Sequence, residues 1–259
     1  MDLASIIGFI MGIGGLIAAN AMQGSTFMQL IDPIGITIVI IGTAGATIAG
    51  NPLPNLKKAI LTVKEVFISE KIDYANTIAD IVDFAGKARK NGVLALEAEV
   101  ETSDDKFMKK ALSLVVDGID PQVLTEIMET ELGNSEDFGE ESVKIFEQAG
   151  GYSPTLGIIG AVLGLIHVMQ HLNNPDRLGA GIAVAFTATL YGLAFANLIL
   201  FPIASKLKIK LKEKILKNEL VLKGVQSIQN GENPRLIEEK LKSFLSESQK
   251  TIYEAKSAR

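Results

Sequence analysis

Apolar residues run almost without interruption over four stretches of the chain, Leu3–Met22, Ile34–Ala49, Pro154–Leu172 and Gly179–Ile203. Set against the ~20 residues that a bilayer-crossing helix needs, each reads as a membrane span. None of the four carries an Asp or Glu in its interior. Proton and sodium pathways usually titrate or coordinate through intramembrane carboxylates, so a channel or motor built from this chain has to borrow its acid from a partner. Between the second and third stretches the pattern changes. Ile60, Val63, Val66 and Phe67 recur at helical spacing, as do Tyr74, Ile78, Ile81, Val82 and Ala85, which predicts amphipathic helices packed on one another. Asn91-Gly92 closes one of these helices, Asp104 is expected to cap the next, Gly118 stops it, and Asp120-Pro121 opens another as N-cap and N1. Past the fourth stretch, Ile203–Ile228 holds no breaker except Gly224, so that helix is expected to extend well beyond the membrane. Gly231 and Asn233-Pro234 then interrupt the chain before a last amphipathic helix, Arg235–Leu245.

The expected fold is therefore all-α: a four-helix integral membrane protein with a helical domain between the second and third spans and a helical C-terminal segment. The segments are 1–50 (spans 1 and 2), 51–150 (helical domain), 151–205 (spans 3 and 4) and 206–259 (C-terminal helices). The first run begins at Leu3 with no basic segment before it and no persuasive small-residue cleavage site, so it reads as a retained helix and not a cleaved signal. No internal repeat or low-complexity segment is evident.

Charge sets the orientation. Hydrophobic residues make up 47% of the chain, yet 21% are charged, and the charges fall almost wholly into residues 51–150 and 204–259. The two short connections, Gln23–Pro33 and Asn173–Leu178, contain a single basic residue, Arg177. By contrast, Lys57, Lys58 and Lys64 follow the second span, and Lys206, Lys208, Lys210, Lys212, Lys214 and Lys217 follow the fourth. Positive-inside bias then places both charged blocks and both termini in the cytoplasm. The lysines after the fourth span match the zone of lipid headgroup phosphates, where each contributes ~1 kcal/mol of membrane attraction. The inner block carries 20 acidic against 11 basic residues, which argues against a nucleic-acid partner; most of this charge is expected to be solvated surface. With no Cys in the chain, disulfides and thiolate metal sites are excluded.

The last two spans are rich in small residues: Gly157, Gly160, Ala161 and Gly164 in the third, and Gly179, Gly181, Ala183, Ala185, Ala188, Gly192, Ala194 and Ala196 in the fourth. Small residues let membrane helices approach closely, so these two are expected to form the inner, protein-facing pair. Tight packing alone would explain the stripe. The polar side chains Thr187, Thr189, Tyr191 and Asn197, with Thr155 on the third span, favour an inner lining, although a hydroxyl in hydrocarbon often only bonds back to its own helix. Pro154 and Pro202 stand at the inner ends of the pair. They either mark helix boundaries or free backbone carbonyls that face a partner or an ion. His167 and His171 share a helix face but have no third ligand nearby, which leaves metal binding, proton relay and simple packing open. There is no nucleophile-base constellation and no phosphate loop, so an enzyme is not expected, nor is a cofactor.

Four motifs resemble the flagellar motor stator A subunits, the MotA and PomA group. They are Leu30-Ile31-Asp32-Pro33, the run from Ala88 through Arg89, Lys90, Asn91 and Gly92 to Glu97, the run Ser153-Pro154-Thr155-Leu156-Gly157 through Ile166, and Ala185-Phe186-Thr187-Ala188-Thr189-Leu190-Tyr191-Gly192 leading to Pro202. The resemblance covers essentially the whole chain. It implies a homopentamer in the bacterial cytoplasmic membrane around two copies of a single-span, MotB-like B subunit that supplies the essential Asp. It further implies proton flow between the third and fourth spans and that Asp, with torque delivered to a FliG-like rotor switch protein. By the same resemblance Thr189, Ala161, Thr155, Tyr191 and Phe186 line the ion path, Pro154 and Pro202 serve coupling, Arg89, Lys90, Glu97 and Glu99 meet the rotor, and Asp32 is an acid on the outer side. Some relatives carry a second acid directly after the position of Glu97, where this chain has Ala98. Sodium-driven members carry Thr at the position of Ala161, and proton-driven ones tend to carry Ala. Two other readings remain: an energiser like ExbB or TolQ, whose three spans and external N-terminus fit less well, and a self-contained transporter or scaffold, against which the missing acid and missing inverted repeat argue.

Overall fold

A computed structural model of the chain describes residues 2–24, 28, 31–68, 72–172 and 175–257, and among these the regular elements are all helical. Parts of the two expected outer turns (25–27, 29–30 and 173–174), including Leu30 of the second-span motif, lie outside the described residues, as does the Arg177 side chain. The chain forms two compact units, Met1–Ser69 with Gly139–Ile209, and Glu70–Phe138 with Lys210–Arg259.

The first unit holds the four helices that are long and apolar enough to cross a membrane. Helix α1 (Leu3–Met22) is the first span. The second begins as α2 (Pro33–Ile36), widens through a π turn at Thr37–Ile41 and continues as α3 (Gly42–Gly50). The third is the C-terminal part of α8 (Pro121–Gln170). The fourth is α9 (Pro175–Phe195), which passes through a π turn at Ala196–Leu200 into α10 (Phe201–Gln229). No residue of α1 is buried, as suits a helix whose surface is left to lipid or to other subunits.

This unit is larger than the expected membrane segments, because it also takes in α4 (Leu53–Phe67) and residues 139–150. The cause is packing. The apolar face of α4, Val63, Val66 and Phe67, closes over Val143, Phe146, Ile203, Ala204 and Leu207, with Phe9 and Ile199 at its edge. Polar contacts fix the same corner. Asp2 caps α1 by accepting from the Ser5 amide, its own amide donates to the Phe67 carbonyl (2.9 Å), and its carboxylate pairs with Lys206 at 2.5 Å. The Lys206 bond, then the Ser5 amide, hold the Asp2 carboxyl below its usual range.

The second unit is built from α5 (Tyr74–Asn91), a 3-10 turn (Val93–Leu96), α6 (Glu97–Thr102), α7 (Lys106–Val116), the first part of α8, the remainder of α10, α11 (Pro234–Lys242) and α12 (Glu247–Ser257). Its core gathers Ile78, Ile81, Leu96, Leu112, Leu124, Met128, Leu220, Ile237 and Leu241, all essentially without exposure. Gly92 adopts φ +81° and ends α5 where expected, a conformation that costs an L side chain but not glycine. Two expectations need correction. The cap of α7 is Asp105, not Asp104, because the Asp105 carboxylate accepts from the Phe107 and Met108 amides. And α11 is not the last helix: it stops at Lys242, and α12 follows, begun by a capping box in which the Ser246 amide donates to Gln249 Oε1 at 2.8 Å. Tyr253 of α12 donates to Glu238 Oε1 and lies under the Lys242 ammonium.

Asp105 also pairs with Lys217 at 2.5 Å. Burial pushes its carboxyl up, but the Lys217 bond and the two amides outweigh this and hold it below the ordinary carboxylate range. A lowered folded value contributes stability above the unfolded value that is lost as pH falls through the folded one, so this increment should fade below about pH 4. Asp105→Ala, which removes cap and pair together, is expected to cost about 1–3 kcal/mol near neutral pH. Denaturant unfolding of the full chain measures it, and an unchanged midpoint would refute the assignment.

Candidate functional site

The third and fourth spans meet backbone to backbone. Ser153, Gly157, Gly160 and Gly164 recur at helical spacing on α8 and face Gly181, Ala185, Ala188 and Gly192 of α9. A Cβ built on Gly157 would stand 2.9 Å from the Ala188 carbonyl oxygen and 3.3 Å from the Thr189 Cα. One on Gly164 would stand 2.9 Å from both the Ala185 nitrogen and the Gly181 oxygen, and one on Gly192 would stand 2.7 Å from the Ser153 oxygen. Without a hydrophobic drive between helices in lipid, this contact supplies dispersion and hydrogen bonding instead. Ser153, fully buried, donates to the Gly192 carbonyl at 2.9 Å. Reading the sequence singled out the glycines but assigned Ser153 no role; its place four residues before Gly157 was the available signal.

Around this seam the expected ion-path residues take distinct positions. Thr189 is half-buried and donates back to the Ala185 carbonyl at 3.1 Å, and Ala161 is half-buried one turn beyond Gly157. Thr155 is exposed and bonds to the Tyr152 carbonyl, while Phe186 is 75% exposed. Tyr191 is engaged elsewhere: its hydroxyl accepts from the Asp32 amide at 2.8 Å, so it faces the second span. Asp32 caps that span through the Ile34 and Gly35 amides and also accepts from the Thr187 hydroxyl at 2.9 Å. Thr187 and Tyr191 stand out in the sequence only as polar residues of one span, with no sign that Asp32 meets them, because the contact joins residues 155 or more apart.

Pro154 lies inside the continuous α8 and does not start a helix. Having no N–H, it leaves the Gly150 carbonyl without its helical donor, and the Phe201 ring sits against Gly150, 2.6 Å from where a Cβ would be. Pro202 is passed by widening one turn: the Phe201 amide donates five residues back, to the Ala196 oxygen. Both prolines are therefore absorbed within helices.

In the second unit, Arg89 and Lys90 lie in the last turn of α5 and Glu97 opens α6, across the Gly92 break. All three are exposed, Leu94 between them is 68% exposed, and among the described residues no ion pair or hydrogen bond engages the three charges. Glu99 is placed differently from these three. It is half-buried and paired with Lys87 at 2.5 Å, and Lys87 also holds Asp83 at 2.8 Å. Bonds to Asp83 and then Glu99 push the Lys87 ammonium up to about 12. Glu99 thus braces α6 against α5. The His167 and His171 rings lie against each other at a tilt of 40° with centroids 4.4 Å apart, and His171 Nδ1 lies 2.9 Å from the His167 carbonyl. Among the described residues no group of three or more His, Cys, Asp or Glu could hold a metal ion.

A sequence model of the MotA/TolQ/ExbB proton channel family matches residues 99–220. The chain is 38% identical over 246 residues to Motility protein A of Bacillus subtilis, covering 95% of this chain and 91% of that protein. It is 32% identical to the chemotaxis protein PomA of Vibrio alginolyticus, covering 97% and 98%. Among solved structures it is similar to C. jejuni MotAB (TM-score 0.90, 30% identity, 95% of this chain and 97% of that one) and to the flagellar MotAB stator complex from Bacillus subtilis (TM-score 0.89, 36% identity, 96% and 98%).

Proposed function

The chain belongs to the MotA/TolQ/ExbB proton channel family, and from that premise we propose that it is the A subunit of a bacterial flagellar stator in the inner membrane, converting ion flow into torque. One observation carries the reading: the glycine-sealed third and fourth spans, with no carboxylate in their interior, recur within a fold that matches stator complexes over nearly its full length. A chain of this kind needs a MotB-like partner to supply the acid. Five copies around two partner helices cannot satisfy every contact at once, so each step of the ring exchanges one near-equivalent packing for another. On this reading the termini and second unit are cytoplasmic, and Arg89, Lys90 and Glu97 meet the rotor. Exposed opposite charges favour rapid, reversible encounter over deep affinity. Expression with its partner in a strain lacking its own stator tests the reading directly: swimming is expected, and immobility with both subunits present in the membrane would contradict it.

The ion on this reading is the proton. Sodium must shed water to pass, and its site needs several oxygens close together. Here Thr189 offers one hydroxyl, already donating to Ala185, and Ala161 offers none. A proton needs only a carboxylate whose affinity changes with burial. Swimming is expected to persist without external sodium and to collapse with a protonophore, and Ala161→Thr is expected to slow rotation without conferring sodium dependence. Speed that tracks sodium at fixed proton-motive force would overturn the ion assignment and leave the stator reading standing.

A further inference from the structure

Among the described residues, Asp32 is the acid hydrogen-bonded to the fourth span, and its surroundings decide between carrying an ion and holding a helix. Its Oδ1 accepts from the Ile34 amide at 3.1 Å, and its Oδ2 accepts from both the Gly35 amide at 3.0 Å and the Thr187 hydroxyl at 2.9 Å. Its own amide donates to the Tyr191 hydroxyl. Directly beside it Gly35 meets the fourth span so closely that a Cβ would stand 3.2 Å from the Ala188 Cα. Two hydrogen bonds and one backbone contact therefore join the start of the second span to a single face of the fourth, while the two amide bonds fix the carboxylate in place.

That face has a consequence for the rest of α9. Thr187 and Tyr191 are four residues apart and share a side, whereas Thr189 lies about 200° round the helix from Thr187. Holding the first two against Asp32 fixes the rotation of α9 about its axis and turns Thr189 toward α8, where its Cα meets Gly157.

We propose that Asp32, Thr187 and Tyr191 form a clamp that sets the rotation of the fourth span and so aims Thr189 at the ion path, with Asp32 acting as a positioning residue and not as a carrier of the ion. The proposal rests on the stator reading. It makes Tyr191 a member of the clamp and not of the path. It also separates the carboxylate's geometry from its charge, because asparagine caps a helix about as well as aspartate. With its oxygen at the Oδ2 position, Asn can still accept from both the Gly35 amide and the Thr187 hydroxyl and gives up only the exposed Ile34 bond.

The test is swimming speed across external pH, with the chain expressed beside its B partner in a strain lacking its own stator. Asp32→Asn is expected to swim within about twofold of wild type and with the same pH profile, and Asp32→Ala at least about fivefold slower. Adding Thr187→Val to Asp32→Ala should cause little further loss, since the carboxylate that Thr187 reaches is already gone. Asn as slow as Ala, an altered pH profile in the Asn variant, or Ala at wild-type speed would each overturn the proposal. If Asp32→Ala fails to reach the membrane, Tyr191→Phe and Thr187→Val decide: at normal membrane levels both should slow swimming about twofold or more, and wild-type speed in both would overturn the clamp. Failure of the unaltered pair to restore swimming would instead contradict the stator reading itself.

Discussion

Gly192→Ala is expected to stop rotation outright. The added methyl group would stand 2.7 Å from the Ser153 oxygen, 3.0 Å from the Gly157 Cα and 3.2 Å from the Pro154 Cα. All three are backbone atoms of α8, so no side chain can swing aside and the two spans have to separate. Overpacking of this kind typically costs 1–3 kcal/mol, and here it also strains the Ser153 hydrogen bond to the Gly192 carbonyl. Gly164→Ala meets the Ala185 and Gly181 backbone in the same way and is expected to behave alike. Gly179→Ala, with nothing within 4 Å in this chain, is the control that should swim. Swimming assays read beside membrane levels make the check, and normal motility in the Gly192 variant would show that the seam is not as tight as described.

Reversing Arg89 to Glu or Glu97 to Lys is expected to lower torque by about tenfold or more at unchanged membrane level, because like charges brought face to face cost several kcal/mol. Both side chains are exposed and make no ion pair among the described residues, so their reversal leaves the fold of the second unit alone. Opposite reversals on the rotor protein should restore swimming. Glu99→Lys provides the contrast. It breaks the Lys87 pair that braces α6 to α5, so its defect should not be rescued from the rotor side. If the Arg89 and Glu97 reversals swim normally even in combination, these are ordinary surface charges.

Much of this architecture is readable from the chain because it follows from local chemistry. Four apolar runs give four spans, Asn91-Gly92 closes α5, Asp120-Pro121 opens α8, and the glycine stripes mark the two helices that touch. Two local misreadings concern caps. Asp104 and Asp105 stand side by side, and only the fold selects Asp105, the one that Lys217 can reach. The capping box at Ser246 was legible and would have given α12. What the sequence withholds are contacts between distant segments. Nothing near Asp32 announces Thr187 or Tyr191, nothing near Glu99 distinguishes a bracing acid from an exposed one, and the packing of α4 on the membrane helices depends on partners more than 50 residues away. The prolines were ambiguous for a related reason. Whether a helix stops at a proline or widens past it is decided by what packs around it, as Phe201 does at Gly150.

Proton flux into liposomes under an imposed voltage tests the central claim most directly. The chain alone should conduct nothing, because its spans supply no carboxylate to accept and release protons. Reconstituted with its single-span partner, with any plug on that partner removed, it should conduct, and Asp→Asn in the partner's span should abolish the flux. Proton flux through this chain by itself would contradict the account.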